Sequence, residues 1–227
     1  MRIGIICASD TELEPFLPII ADCETETCAM LKFYCGKIGA KEVIALYSGV
    51  CKVNAAVAAQ ILIDRFAVDI IINSGTAGAM DEKLKIFDTV IVTEVAYHDV
   101  SSEILTEFHP FMPSVWFKSD EMLVNVARNV AENFKGDYKI YFGQAVTGES
   151  FINRSGRKRI NKKFNPLIVD METGSIAHVC FVNKVPFIVV RSVTDTPDES
   201  GIEHFEENCL RASENAKDIT LKIIEKI

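Results

Sequence analysis

The chain has 227 residues, which is long enough for a single domain over 1–227 with a sizeable buried core. Its formal net charge of −8 argues against a nucleic-acid partner, and no apolar run approaches the length of a membrane span. The seven scattered cysteines contain no CxxC pair, which favours a reducing cytoplasm over a disulfide framework. The four histidines form no HxxxH pair, so no metal site is expected.

Apolar runs and helical periodicities alternate along the chain. The predicted strands are residues 2–8, 32–38, 42–48, 68–73, 88–97 and 138–146, with 32–38 and 42–48 as an antiparallel pair. The predicted helices are 11–20, 53–66, 120–134 and a last helix containing Phe205 and Ile223. In the helix over 53–66, one face is expected to carry Val53, Ala56, Val57, Ile61 and Leu62. The pattern predicts a single α/β/α layered domain with a central mixed sheet.

Two apolar runs near the end of the chain lead into charged residues. The run 166–169 precedes Glu172, and the run 186–190 precedes Arg191 and Asp195. Short apolar runs of this kind are typical of strands buried on both faces, and the carboxyl ends of such strands line the ligand crevice of open α/β sheets. Carboxylates there are not needed for packing. Two neighbouring strands that deliver these three residues therefore predict an active site.

The segment 74–78, with the sequence SGTAG, follows the predicted strand 68–73. Its glycines allow unusual backbone angles and the close approach of a ligand. The segment lacks the glycine spacing of a dinucleotide fingerprint and the lysine of a Walker loop, and no cofactor is predicted. Taken alone, it is as consistent with a tight turn as with a binding loop.

Glu12 follows the first strand and has two interpretations. It is either a helix-start acid favoured by the helix dipole, with Asp10 or Thr11 as the cap, or a carboxylate of the site. For the isolated residue the first interpretation is favoured.

Other polar and aromatic features are weaker signals. The arginines and lysines of 154–163 predict a solvated helix face, given the acidic total. His178 is expected in the core or an interface, and the adjacent pair His98 and Asp99 on a strand should point to opposite faces. Phe151 follows a predicted strand and either stacks on a base or anchors its loop to the core.

Five segments at strand ends thus carry functional groups: Glu12, 75–78, Phe151 with Ile152, Met171 with Glu172, and 191–195. Their combination resembles the nucleoside phosphorylase superfamily, and within it the 5′-methylthioadenosine/S-adenosylhomocysteine nucleosidases. The resemblance covers nearly the whole chain and includes the stretches 3–6, 72–78, 97–99, 150–153, 171–172, 176–179 and 185–191. It implies hydrolysis of the N-glycosidic bond of both nucleosides, with release of adenine and the 5-substituted ribose.

The resemblance also implies residue roles. Asp195 matches the general acid that protonates N7 of the leaving adenine, and Glu12 matches the residue that activates water, helped by Arg191. The expected substrate-binding residues are Thr76, Gly78, Phe151, Ile152, Met171, Glu172 and Phe205. In the family pattern, Thr76 supplies a hydroxyl beside the water-activating acid and Met171 contacts the ribose. Glu172 accepts the 2′ and 3′ hydroxyls, Phe151 stacks on the base, the backbone of Ile152 reads the purine edge, and Phe205 closes over the nucleoside.

The chemistry of glycosidic cleavage supports this assignment. The bond breaks through a ribosyl cation, so protonation of the purine makes it a neutral leaving group while a second carboxylate directs water to the anomeric carbon. An aspartic acid that is protonated near neutral pH needs desolvation or an acceptor. The apolar run before Asp195 is expected to supply the desolvation.

Several positions depart from the family pattern. Asp170 stands where relatives usually have Glu, Ser9 where many have Met, and Thr76 where Ser is commoner. The segment 100–113 differs most, because in relatives it reaches across a dimer to line the 5′-alkylthio pocket. Its apolar side chains, with Val115, Trp116 and Phe117 beyond them, predict a homodimer: Ile104, Leu105, Phe108, Phe111 and Met112.

Three other functions remain open at this stage. A phosphorylase on the same fold would need a cationic, glycine-rich cradle, whereas residues 7–12 contain two acids and neither arginine nor glycine. A futalosine-type nucleoside is an alternative substrate. A nucleoside sensor without turnover is a third alternative, although it would make no use of Asp195 and Glu12 together.

Overall fold

The computed structural model describes residues 1–108, 112–152, 154–198 and 202–227. The strands of this part of the chain are β1 Arg2–Cys7, β2 Ala21–Cys28, β3 Leu31–Ile38, β4 Lys41–Tyr47, β5 Ile70–Ala79, β6 Thr89–Tyr97, β7 Phe117–Lys118, β8 Ile140–Thr147, β9 Ile168–Asp170 and β10 Phe187–Asp195. The helices are α1 Asp10–Leu13, α2 Lys52–Asp64, α3 Ser102–Glu107, α4 Glu121–Glu132, α5 Arg154–Phe164, α6 Thr173–Asn183 and α7 Ile202–Lys226.

The strands form one mixed sheet that partly closes on itself. β5 pairs with β1 and β10 in parallel and with β9 in antiparallel orientation, while β10, β6, β8 and β9 follow one another and complete a ring with β5. Beyond β1, the sheet continues as β4, β3 and β2. The long strand β5 therefore connects the closed part of the sheet to the open part.

Helices cover both faces of this sheet. Small side chains of α2 and α6, including Ala58 and Ala177, pack in one buried cluster with Ile71 and Val189. On the other face, α7 packs against β10 and β5, and α4 packs against β10 and β6, with Ile219 and Ile5 in a second cluster. Strands buried on both faces explain the continuous apolar runs in the sequence. The prediction of an α/β/α fold with a central mixed sheet is confirmed.

The glycine segment 74–78 is not a turn. It lies inside β5, which pairs with β10 on one side up to Gly78 and with β9 on the other, where Gly78 faces Val169. The expectation that neighbouring strands carry Glu172 and Asp195 is accordingly wrong, because β5 separates β9 from β10.

The buried face of α2 also differs from the expected one. Ala55, Ala58, Ala59 and Leu62 are buried, whereas Val53 is 73% exposed and Val57 41% exposed. The helix is apolar around most of its circumference, so periodicity alone did not identify the face that packs. Its small residues allow α6 to approach closely, and the valines are left on the surface.

Two further elements depart from the predicted pattern. The helix over 11–20 is a single turn, α1, followed by a 3-10 turn over Glu14–Ile19 that contains two prolines. The strand β2 was not predicted, because it is an exposed edge strand without apolar alternation. Among the described residues, no helix has the length and apolar character that crossing a membrane requires.

Candidate active site

A cavity of about 240 Å³ lies where β1, β5, β9 and β10 meet the loops before α5 and α6. All the predicted site residues except Arg191 line it: Glu12, Thr76, Gly78, Phe151, Ile152, Met171, Glu172, Asp195 and Phe205. Ser9, Asp170 and Arg157 line it as well. The tertiary structure therefore brings together residues that are spread over nearly the whole chain.

Glu12 is anchored by strand β5 and by the end of β1. Its Oε1 accepts hydrogen bonds from both the backbone N–H and the hydroxyl of Thr76, each at 2.7 Å, and Oε2 accepts from the N–H of Ala8 at 2.6 Å. Ser9 caps α1 by accepting from the backbone N–H of Glu12. The expectation that Asp10 or Thr11 caps this helix is therefore wrong, because Ser9 is the cap. The Glu12 side chain lines the cavity.

Arg191 lies behind the cavity and is completely buried. Its guanidinium is 3.2 Å from Asp170, 3.5 Å from Glu172 and 3.7 Å from Glu12. It also donates to the carbonyl of Thr76 at 3.1 Å. One cation therefore holds three carboxylates together, which offsets the cost of burying them. Arg191 acts as a positioning residue here, since it does not line the cavity.

Glu172 is held from two sides. Its Oε1 accepts from the backbone N–H of Cys51 at 3.0 Å, and its Oε2 lies against Arg191. Burial raises the pKa of Glu172 to about 7, an effect that Arg191 opposes and Asp170 reinforces. Cys51 has a φ of 83° and a ψ of 162°, a conformation usually reserved for glycine, and thus strain accompanies the contact that positions Glu172.

The Asp170 carboxylate takes part in the same network. It accepts a hydrogen bond from Thr147 at 2.6 Å and another from the hydroxyl of Thr173, in addition to its contact with Arg191. The short Asp170 side chain therefore reaches the buried cation.

Asp195 ends β10 and is 1% exposed. Desolvation raises the pKa of its carboxyl group, as the apolar strand led us to expect, and the nearby Arg157 opposes this rise. The Thr194 hydroxyl donates to Oδ1 at 3.1 Å, and Nη2 of Arg157 donates to Oδ2. Gly78 packs beside both oxygens, since a Cβ there would lie 3.1 Å and 3.2 Å from them.

Arg157 is a charged site residue that was not predicted from the sequence. The expectation of a solvated helix face is wrong at this position, because Arg157 is 3% exposed and donates to Asp195 and to the carbonyl of Ala79. The signal was the spacing of α5, where Arg157, Ile160 and Phe164 follow the i, i+3, i+7 pattern of one buried face. Its neighbours Lys158 and Arg159 are exposed, as predicted.

Two aromatic rings lie at the cavity mouth. The centroids of Phe151 and Phe205 are 6.3 Å apart, with the rings nearly perpendicular. Phe151 is 44% exposed, so part of its ring is accessible, while Ile152 beside it is buried. A planar base could stack in this position.

The remaining predicted features lie away from the carboxylates of the cavity. His178 contacts the Tyr97 hydroxyl through Nδ1 at 3.4 Å, and Asp99 pairs with Lys52. In the segment 100–113, Phe108 is 59% exposed and Met112 is buried, whereas Phe111 lies outside the described residues. Among the residues described, no group of three or more His, Cys, Asp or Glu could hold a metal ion.

Comparison with known proteins decides the family. The family model described as the phosphorylase superfamily matches residues 2–225. The chain belongs to this superfamily. It is also 36% identical over 231 residues to a 5′-methylthioadenosine/S-adenosylhomocysteine nucleosidase of Halalkalibacterium halodurans, with 100% of this chain and 99% of the relative covered. Membership of the nucleosidase family follows.

Solved structures agree with this membership of the superfamily. The nucleosidase of Neisseria meningitidis, in complex with methylthio-immucillin-A, superposes with a TM-score of 0.92 at 30% identity, covering 100% of this chain and 99% of that one. The futalosine hydrolase of Helicobacter pylori superposes with a TM-score of 0.91 at 26% identity, covering 100% and 98%. A nucleosidase and a futalosine hydrolase thus share this fold.

Proposed function

We infer that this chain hydrolyses the N-glycosidic bond of 5′-methylthioadenosine and S-adenosylhomocysteine, releasing adenine and the 5-substituted ribose. The observation that carries this inference is the presence of two carboxylates with contrasting partners in one cavity. Both are buried, but Glu12 is held by three hydrogen-bond donors beside Arg191, whereas Asp195 has a carboxyl pKa that desolvation raises. A base and an acid require such different environments.

The proposed reaction uses each carboxylate once. Asp195 donates its proton to N7 of the base, the C1′–N9 bond breaks, and its electron pair stays with the neutral base. Glu12 accepts a proton from the water whose oxygen bonds to C1′. Thr76 and Arg191 hold Glu12 in place for this step. The proton on Glu12 balances the one that Asp195 has lost.

The remaining residues bind the nucleoside in this proposal. Glu172 accepts hydrogen bonds from the ribose 2′ and 3′ hydroxyls, and Met171 contacts the ribose. Phe151 stacks on the base, and Phe205 closes over the nucleoside. The backbone of Ile152 reads the purine edge, and Gly78 leaves room for the base beside Asp195. The support is that all of them line the same cavity.

Water is favoured over phosphate as the nucleophile. The cavity wall after β1 contains Ser9 and Glu12, and the Arg191 guanidinium lies behind three carboxylates without reaching the cavity. The cation that does line the cavity, Arg157, is paired with Asp195 at the proposed base end. A phosphate beside Glu12 would meet a carboxylate and no free cation among the described lining residues.

We further propose a homodimer that completes the 5′ pocket. Apolar side chains on the surface of α2 and α6 are exposed, including Val53, Val57, Phe181 and Val182. Val50, which is 48% exposed, lines the cavity and adjoins this face. Exposed apolar patches mark interfaces, and a two-fold arrangement would place the partner's segment 100–113 beside the opening.

The proposal treats 1–227 as one nucleosidase domain, since strands of one sheet come from both ends of the chain. It includes a cytoplasmic location, which the scattered cysteines without a CxxC pair support.

The deciding experiment measures adenine release from 5′-methylthioadenosine with and without inorganic phosphate. We expect equal rates and ribose with a free anomeric hydroxyl. Dependence on phosphate, with a ribose 1-phosphate as product, would assign the chain to the phosphorylases. Futalosine is assayed in parallel, because the divergent segment 100–113 and the likeness to a futalosine hydrolase both bear on the 5′ substituent.

A further inference from the structure

Arg157 is a buried cation in direct contact with the proposed acid. The side chains of Arg157 and Asp195 are 4% and 2% exposed, and their salt bridge is formed by Nη2 and Oδ2. The other terminal nitrogen, Nη1, donates to the carbonyl of Ala79. The guanidinium is thus fixed at two points, one on the backbone of β5 and one on the acid.

The two oxygens of Asp195 have different partners. Oδ2 is bound to Arg157, a permanent cation, whereas Oδ1 accepts from the Thr194 hydroxyl at 3.1 Å. That hydroxyl also lies 3.4 Å from the carbonyl of Ala77 and can rotate to donate there instead. A proton on Oδ2 would compete with the guanidinium, while a proton on Oδ1 needs only the rotation of one hydroxyl.

Building on the function proposed above, we propose that Arg157 is a positioning residue that confines the transferable proton of Asp195 to Oδ1 and stabilises the carboxylate left after transfer. The proton passes from Oδ1 to N7 of the base, the electron pair of the O–H bond stays on Asp195, and the resulting anion remains paired with Arg157. Arg157 touches the acid and not the reacting bond.

The pairing has a definite consequence for the pH dependence. Because Arg157 favours the charged form of Asp195, the acid loses its proton at a lower pH than it would without the pair. The other charge that acts on Asp195 in the same direction comes from His204 of α7, whereas β5 contributes the uncharged Gly78. The test must therefore separate the effect of Arg157 on the pKa of Asp195 from the effect of His204.

The alkaline limb of the kcat/KM profile reports the acid of the free enzyme. Arg157→Met keeps an unbranched side chain without charge, and we expect it to move this limb upward by about one pH unit or more. Arg157→Lys keeps the charge but has a single nitrogen in place of the two that donate to Ala79 and Asp195. It should therefore shift the alkaline limb by an intermediate amount. Lys158→Met, on the exposed side of the same helix, should leave the limb unchanged. The same variants in a His204→Gln background should show the same differences.

A second measurement does not depend on turnover. Carboxyl carbon NMR of the 13C-aspartate-labelled protein follows the titration of Asp195, whose resonance is identified by its loss in Asp195→Asn. Arg157→Met should raise this titration midpoint, and Arg157→Lys, the milder change, provides the comparison if the methionine variant unfolds. Equal midpoints in the wild-type protein and in a folded Arg157 variant would overturn the proposal. Absence of adenine release by the wild-type protein would instead contradict the proposed function and leave the NMR result to decide the pairing.

Discussion

A Cβ atom at Gly75 would lie 2.5 Å from Oε2 of Glu12, so the Glu12 carboxylate occupies space that only glycine leaves open. Gly75 belongs to β5, where it faces Arg191 of β10 in the pairing register. The glycine segment of β5 therefore leaves room for a carboxylate of a different element, Glu12 of α1. Gly75 is needed because the Glu12 carboxylate approaches its Cα closely, and its φ angle is not positive.

Gly75→Ala should displace the Glu12 carboxylate and lower kcat/KM by about 10²-fold, because small misplacements of a catalytic group are costly. Steady-state kinetics on 5′-methylthioadenosine measures this loss. The double variant Gly75→Ala with Glu12→Asp shortens the acid by one methylene, and it should be more active than Gly75→Ala alone. If the double variant is no better, the loss has another origin than the clash.

Asp195→Asn keeps the size and hydrogen bonding of the side chain but cannot give up a proton to the base. We expect kcat to fall by roughly 10²–10⁴-fold with little change in KM, since the acid acts in the transition state. The exposed Asp198 offers a nearby control, and Asp198→Asn should be fully active. Near-normal turnover in Asp195→Asn would remove this residue from the mechanism.

Glu12→Gln and Asp10→Asn compare two acids of the same helical turn. Glu12 faces the cavity, whereas Asp10 is exposed. Neutralising Asp10 should cost at most about 1 kcal/mol of unfolding free energy and no activity. Glu12→Gln should fold and turn over poorly. A Glu12→Gln protein that is active but melts early would restore the interpretation of Glu12 as a helix-start acid.

The pKa of Glu172, raised to about 7 by burial, predicts pH-dependent substrate binding. The carboxylate form accepts hydrogen bonds from two ribose hydroxyls, and protonation converts one of its acceptor oxygens into a donor. KM should therefore rise as the pH falls below about 7, because a growing fraction of the Glu172 side chains is then protonated. Glu172→Gln should have a high KM at every pH without this inflection. An unchanged inflection in that variant would assign it to another group.

The proposed dimer predicts that charge on the exposed face of α2 separates the subunits. Val53→Glu should shift the protein from dimer to monomer in sedimentation velocity and change the preference among 5′ substituents. Phe108→Ser should have both effects in a milder form. Met30, fully exposed at the turn between β2 and β3, supplies the control, and Met30→Glu should remain dimeric. A fully active wild-type monomer at assay concentration would contradict the dimer.

Arg157 and Glu12 both have buried partners that their local sequence does not predict. Arg157 belongs to the basic run 154–163, and the charge composition alone predicted that every side chain of this run is exposed to solvent. Only the packing of Ile160 and Phe164 turns Arg157 inward, where Asp195 compensates its charge. Glu12 is a second such case, since its local context favoured a helix-start acid, whereas its contact with Thr76 comes from a strand 64 residues away.

The sequence by itself determined the α/β class, the order of most strands and helices, and many of the residues that line the cavity. These follow from local apolar periodicity and from residue types that resemble a family over nearly the whole chain. Only the tertiary structure decided that β5 separates β9 from β10, that Arg191 lies behind the cavity, and that Arg157 reaches Asp195. Strand neighbours and buried ion pairs depend on contacts between residues far apart in the chain, and no local pattern encodes which of the possible partners meet.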